Sequence, residues 1–181
     1  IGNLVIIILT GDGKGKTTSA IGQAIRALGS GRKVAFFHFI KSPAWKTGED
    51  AMFGWMKEWF GERLLHKKRG MGFVGILGDT LPREVHAEAA ENALKEVQKI
   101  LEEKKYDTII LDEINVAVSL GLIAKEKITE LLQTLPEEID IVLTGRNAHE
   151  DHIALADLVT ECREIKHPYQ KGAKAKKGVE Y

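Results

Sequence analysis

Short apolar runs alternate with amphipathic stretches along this chain. Leu4 to Leu9 is apolar without a break, and helical spacing follows from Thr17 to about Leu28, ending near Gly29 and Gly31. Residues 3–9 are therefore expected as a first strand and 17–28 as the helix after it. Val34–Ile40, Thr108–Leu111, Ile139–Leu143 and Leu158–Ile165 read as further strands. Pro82 opens a long amphipathic helix whose apolar positions Val85, Ala89, Ala93, Val97 and Ile100 are expected to face the core. A helix around Lys125–Leu135 precedes the 139–143 strand. The region from Lys41 to Gly78 breaks the pattern, but Glu49-Asp50 favour a helix start and predict a short helix through Phe60. Strands apolar on both faces, separated by helices, predict an α/β fold with a parallel sheet covered on both sides. Without an internal repeat or linker, residues 1–181 read as one domain.

The join between the first strand and helix is the most informative stretch. Thr10-Gly11-Asp12-Gly13-Lys14-Gly15-Lys16-Thr17-Thr18 has the chemistry of a phosphate-binding loop. Glycines let backbone N–H groups curl around phosphate oxygens, and the helix N-terminus favours negative charge. Lys16 supplies a point charge for a polyphosphate, Lys14 a second one, and the Thr17 hydroxyl can ligate Mg²⁺. The spacing is off by one. The regular G-x-x-x-x-G-K-T pattern wants glycine at position 10, where this chain has Thr10 and delays its first glycine to Gly11.

Ligands of open parallel sheets bind beyond the carboxyl ends of the strands. Asp112-Glu113 and Thr144-Gly145-Arg146 are expected at that same edge. Asp112, delivered by an apolar strand, reads as a carboxylate for the Mg²⁺ shell. Glu113 serves either as a direct ligand or to orient a water, and Arg146 either meets a phosphate or caps a helix. Histidines 38, 66, 86, 149, 152 and 167 show no metal-ligand spacing. Trp45, Trp55 and Trp59 are expected to be core or a hydrophobic cap, and Phe73 to pack inward from its glycine-flanked loop.

Composition narrows the class. A chain of 181 residues at 44% hydrophobic content can bury a sizeable core. Lys plus Arg and Asp plus Glu both number 26, so no global field points to nucleic acid or an anionic membrane. The one cysteine, Cys162, suits a reducing, cytoplasmic setting. No apolar run is long enough to span a bilayer, and Ile1–Leu9 reads as a core strand rather than a signal peptide. The ending from Lys166 to Tyr181 is basic and, from composition, solvated.

Together these residues resemble the P-loop type ATP:corrinoid (cob(I)alamin) adenosyltransferases over nearly the whole chain. The offset loop, Arg26-Ala27-Leu28-Gly29, Phe39-Ile40-Lys41, Gly48-Glu49 and Leu111-Asp112-Glu113 contribute to the likeness. So do Thr144-Gly145-Arg146, Ala156-Asp157-Leu158-Val159-Thr160-Glu161, and the ending from His167-Pro168-Tyr169 to Gly178-Val179-Glu180-Tyr181. The resemblance implies a RecA-like sheet, a homodimer, a divalent metal (Mg²⁺ or Mn²⁺), a flavoprotein reductant, and transfer of the adenosyl group of ATP to Co(I) with release of triphosphate. It implies nucleotide contacts from Gly11 to Thr18, Arg26 and Arg146, catalytic roles for Lys16, Thr17 and Glu113, metal ligation by Thr17, Asp112 and Glu113, and corrinoid contact by Phe73. It also implies that the basic ending packs near the site. Gly75 stands where the family usually has tryptophan, so Trp45, Trp55 or Trp59 is expected to replace it or the preferred corrinoid to differ. The chain opens on Ile1 rather than Met, and the segment that caps the corrinoid in relatives is expected to be missing before it. A P-loop kinase or NTPase, and an ATP-dependent binding module without turnover, are the competing classes.

Overall fold

The computed structural model describes residues 5–76, 78–166 and 175–179. In chain order the elements are β1 (Ile6–Thr10), α1 (Lys16–Gly29), β2 (Val34–His38), α2 (Gly48–Phe60), β3 (Leu64–Lys68) and α3 (Arg83–Glu103). There follow β4 (Thr108–Asp112), α4 (Ile114–Ser119), α5 (Lys125–Gln133), β5 (Asp140–Thr144), α6 (Glu150–Leu155) and β6 (Leu158–Glu161). The strands form one sheet in the order β3-β2-β4-β5-β1-β6, every pairing parallel. This is the α/β fold with a helix-covered parallel sheet that the hydrophobic pattern predicts.

Strand periodicity divides the core in two. Ile8, Phe37, Ile109, Leu111 and Leu143 pack with α3, α4 and α5, whereas Leu9, Phe36, Ile110 and Val142 pack with α1 and α2. Both faces of the central strands are thus apolar, which is why they read as unbroken hydrophobic runs. Small side chains at Ala20, Ala24 and Ala27 let α1 lie close against the sheet and bring its N-terminus to the carboxyl edge.

Several expectations need correction. The buried stripe of α3 is His86, Ala90, Ala93, Leu94, Val97 and Leu101. Ala93 and Val97 lie in it as expected, but Val85, Ala89 and Ile100 flank the stripe, half-buried. β3 lies inside the stretch read as broken: an edge strand of sequence LLHKK has too little apolar signal. β6 ends at Glu161 rather than Ile165, and its residues are exposed. The tryptophans are surface residues, with Trp45, Trp55 and Trp59 at 52%, 60% and 79% exposure. The cause is helix phase, because α2 buries only Phe53 and Met56 and turns Trp55 and Trp59 outward. Most of the basic ending (residues 167–174, 180 and 181) lies outside the described residues; 175–179 are exposed.

The N-terminus of α2 begins at the acidic pair, as expected. Asp50 accepts from the Thr47 N–H at 2.8 Å and from its hydroxyl at 3.1 Å, closing a reciprocal cap. Thr47→Ala is expected to lower stability by about 1 kcal/mol, read from the urea midpoint at unchanged m-value. Among the described residues no helix is long and apolar enough to cross a membrane.

Candidate functional site

The carboxyl edge of the sheet gathers the loop after β1, Asp112-Glu113 after β4 and Thr144-Gly145-Arg146 after β5. The loop rests on the chain leaving β6. Gly13 N–H donates to the Cys162 carbonyl at 2.6 Å, and Cys162 N–H donates to the Thr10 carbonyl at 2.7 Å. This contact explains the off-by-one glycine. Thr10 is still strand, and its hydroxyl accepts from Ala148 N–H at 3.2 Å. Gly11 makes the turn at φ +93°, and a Cβ there would lie 2.6 Å from the Cys162 carbonyl oxygen. A Cβ on Gly13 would meet the same oxygen at 2.6 Å.

Lys16 opens α1 and folds back into the loop, donating to the carbonyls of Gly11 and Gly13 at 2.7 Å each. Burial, the largest influence, lowers its pKa. Asp12, Lys14 and Thr18 are exposed around it. Arg146 reaches across the loop, its guanidinium 3.2 Å from the Asp12 carbonyl oxygen. Of the two roles left open for Arg146, the structure places it on the loop, and the N-cap of α6 is His149 instead. Arg26 is not brought to this site. It sits exposed in the last turn of α1, ten residues from Lys16 and so roughly 15 Å along the axis. There it complements the negative end of the helix dipole.

Asp112 is the hub. Its side chain is fully buried; Oδ1 accepts from the Thr17 hydroxyl at 2.8 Å and the Thr144 hydroxyl at 2.7 Å. Its Oδ2 lies 2.7 Å from His38 Nδ1 and 3.4 Å from Lys41 Nζ. Burial alone would raise the Asp112 pKa, but the His38 hydrogen bond and the Lys41 charge hold it well below the usual carboxylate range. Burial likewise opposes the Lys41 charge, yet Asp112 and Glu49 raise its pKa above the ordinary value.

Glu113 behaves oppositely. It caps α4 in the left-handed region at φ 63°, a costly conformation outside glycine. Burial first, and the Asp112 charge second, push its carboxyl up to about 7. Adjacent carboxylates thus differ in protonation near neutrality. The native state keeps a Glu113 proton that the unfolded chain gives up above about pH 4.5. Glu113 therefore favours the fold below that pH and loses its contribution as pH rises through about 7. His66 has the opposite slope, because burial lowers its pKa to about 4. Glu113→Gln isolates the first effect: on raising the pH from 5 to 7.5, the unliganded variant is expected to gain about 2 kcal/mol relative to wild type in urea unfolding.

Phe73 is 43% exposed, and its ring meets Trp45 edge to face with centroids 5.9 Å apart. Its expected inward packing is not found. The residues missed from sequence are His38 and His66, whose Nε2 atoms lie 3.0 Å apart, and Lys68, whose buried ammonium donates to the Trp45 carbonyl and to Asp50. His38 pairs with Asp112 in strand register across 74 residues of sequence, a relation invisible to local spacing. Among the described residues no group of three or more His, Cys, Asp or Glu side chains converges on a metal position.

A glycine-rich loop after β1, its lysine and threonine opening α1, and a buried aspartate at the end of β4 define a P-loop nucleotide-binding fold of RecA type. The family model described as ATP:corrinoid adenosyltransferase BtuR/CobO/CobP matches residues 3–181. The chain is 34% identical to the corrinoid adenosyltransferase of Escherichia coli strain K12 over 98% of its own length and 85% of that protein. It is 37% identical to the corrinoid adenosyltransferase of Pseudomonas aeruginosa, covering 98% of this chain and 83% of that one. The chain belongs to the ATP:corrinoid adenosyltransferase family. The crystal structure of the flagellar accessory protein FlaH from Methanocaldococcus jannaschii is similar at TM-score 0.52 and 18% identity, covering 88% of this chain and 70% of that one. That likeness concerns the fold alone.

Proposed function

We propose that this protein transfers the 5′-deoxyadenosyl group of ATP to the Co(I) centre of a reduced corrinoid and releases inorganic triphosphate. One domain over residues 1–181 does this as a cytoplasmic homodimer, with a flavoprotein supplying the electrons that reduce the corrinoid. Family membership supports the reaction class. The observation that supports the mechanism is the convergence of Lys16, Thr17 and Asp112 at one edge of the sheet.

The Co(I) electron pair forms the Co–C5′ bond while the C5′–O bond breaks, its electrons leaving on the triphosphate oxygen. Charge therefore develops on the whole triphosphate rather than on one transferred phosphoryl group. ATP lies reversed relative to an ordinary P-loop enzyme, its phosphates in the loop and its 5′ carbon open to the corrinoid. Lys16, Lys14, Arg146 and the loop N–H groups from Gly11 to Thr18 hold that leaving group, the largest kind of contribution a preorganised site makes. Phe73, exposed beside Trp45, offers an apolar face to the corrinoid ring.

A hydroxyl and two carboxylates are hard oxygen donors, and Mg²⁺ commonly takes one or two carboxylates together with substrate phosphates. Thr17, Asp112 and Glu113 have the donor chemistry for Mg²⁺ or Mn²⁺ and would be the residues that hold it. When bound, the ion neutralises charge on the departing phosphates. Glu113, near neutral charge without ligand, can give up its proton to meet that cation.

Incubation with ATP, Mg²⁺ and chemically reduced corrinoid tests the proposal. A light-sensitive Co–C product with equimolar triphosphate is expected. ADP with phosphate would assign the protein to the kinases or NTPases, and unchanged ATP to a binding module.

A further inference from the structure

The Asp112 carboxylate ends a strand, and its terminal torsion has only a broad two-fold preference. Something must fix the plane of the carboxylate so that one of its oxygens faces Thr17. On the Oδ2 side Lys41 is a weak candidate: it stands 3.4 Å away and shares its ammonium with Glu49 at 3.2 Å. His38 is closer at 2.7 Å, and its side chain is fully enclosed. Behind it, His66 Nε2 lies 3.0 Å from His38 Nε2, and the His66 ring stacks on the buried Phe53 at 4.2 Å and 21°.

The nitrogen-to-nitrogen contact and the carboxylate contact together fix the chemistry. Only one proton fits between two Nε2 atoms at that distance. If it sits on His66, His38 is the tautomer protonated at Nδ1. If it sits on His38 Nε2, the Asp112 carboxylate, ionised and so an acceptor only, still requires a proton on Nδ1 at 2.7 Å, so that ring carries protons on both nitrogens. Either way His38 presents an N–H at Nδ1 to Asp112.

Resting on the reading that the loop binds Mg·ATP, we propose that His38 is a positioning residue for adenosyl transfer. It holds Oδ2 of Asp112 so that Oδ1 takes the Thr17 hydroxyl proton. A hydroxyl has one proton and two lone pairs, so giving the proton to Asp112 leaves both lone pairs for the cation on the nucleotide. His66, braced by Phe53, holds the His38 ring. The line Phe53–His66–His38–Asp112–Thr17 thus runs from α2 across three strands to the start of α1.

The test is calorimetric titration of the full chain with Mg·ATP, and separately with ATP in EDTA. His38→Ala is expected to weaken Mg·ATP about tenfold, the usual scale for losing a group that orients a metal ligand, with ATP in EDTA changed less than about twofold. His38→Asn, whose amide N–H replaces the Nδ1 donor, should recover most of the affinity. His66→Leu should show a smaller loss, again only with Mg²⁺ present. If His38→Ala does not fold, the other two variants decide the matter. Unchanged Mg·ATP affinity in the variants, equal weakening with and without the metal, or no recovery in His38→Asn overturns the role of His38. A wild-type protein that binds neither form of ATP overturns the nucleotide reading itself.

Discussion

Lys16→Ala is expected to cut adenosyl transfer by at least about a hundredfold, the scale of losing one preorganised partner of a developing anion. The ammonium lies between the Gly11 and Gly13 carbonyls, inside the curl proposed to receive the polyphosphate. Its removal leaves those carbonyls without their donor, so a stability cost of about 1 kcal/mol accompanies the kinetic loss. The larger effect belongs to the chemistry, because triphosphate departs with several charges at once. Steady-state rates with reduced corrinoid, alongside urea unfolding, separate the two. Wild-type turnover in this variant would remove the loop from the mechanism.

Gly11→Ala should be comparably damaging for a different reason. The residue adopts φ +93°, and the new Cβ would meet the Cys162 carbonyl oxygen at 2.6 Å and Glu161 Cγ at 2.7 Å. Neither the turn nor the chain after β6 can give way without disturbing the Thr10–Glu161 pairing. A loss of about 2–4 kcal/mol in stability is expected, with transfer reduced by about a hundredfold or more as the loop shifts. Gly22→Ala is the control: it lies within α1 with nothing within 4 Å of the added Cβ. That change should stabilise the protein by about 0.5–1 kcal/mol. We also read the displaced glycine as suited to a reversed polyphosphate. Restoring regular spacing with Thr10→Gly and Gly11→Ala together should therefore abolish transfer. Full activity in that double variant would refute both the packing and the ligand explanation of the offset.

What could be read from sequence was what neighbouring residues determine. The loop is legible because its glycines, Lys16 and Thr17 are contiguous, and β1, β2, β4 and β5 because strands buried on two faces need apolar residues at nearly every position. The edge strand β3 escaped because LLHKK has one paired edge and a largely polar composition. Six-residue helices such as α4 and α6 are too short for a helical period to show. The orientation of α2 needed its phase against the sheet, which turns Trp55 and Trp59 to solvent and keeps Phe53 inside. Within the site, Asp112 was legible at the end of an apolar strand, but its contact with His38 depends on strand order and register. Arg26 was placed at the site by family likeness, whereas helix length carries it away.

The central claim is that the triphosphate end of ATP is gripped and the sugar carbon presented. A structure of the protein with Mg·ATP and a corrinoid tests it most directly. The expected result has the phosphates within the Gly11–Thr18 loop against Lys16, and C5′ as the nucleotide atom nearest cobalt. Adenosine buried away from the corrinoid, with the γ-phosphate nearest it, would contradict the mechanism.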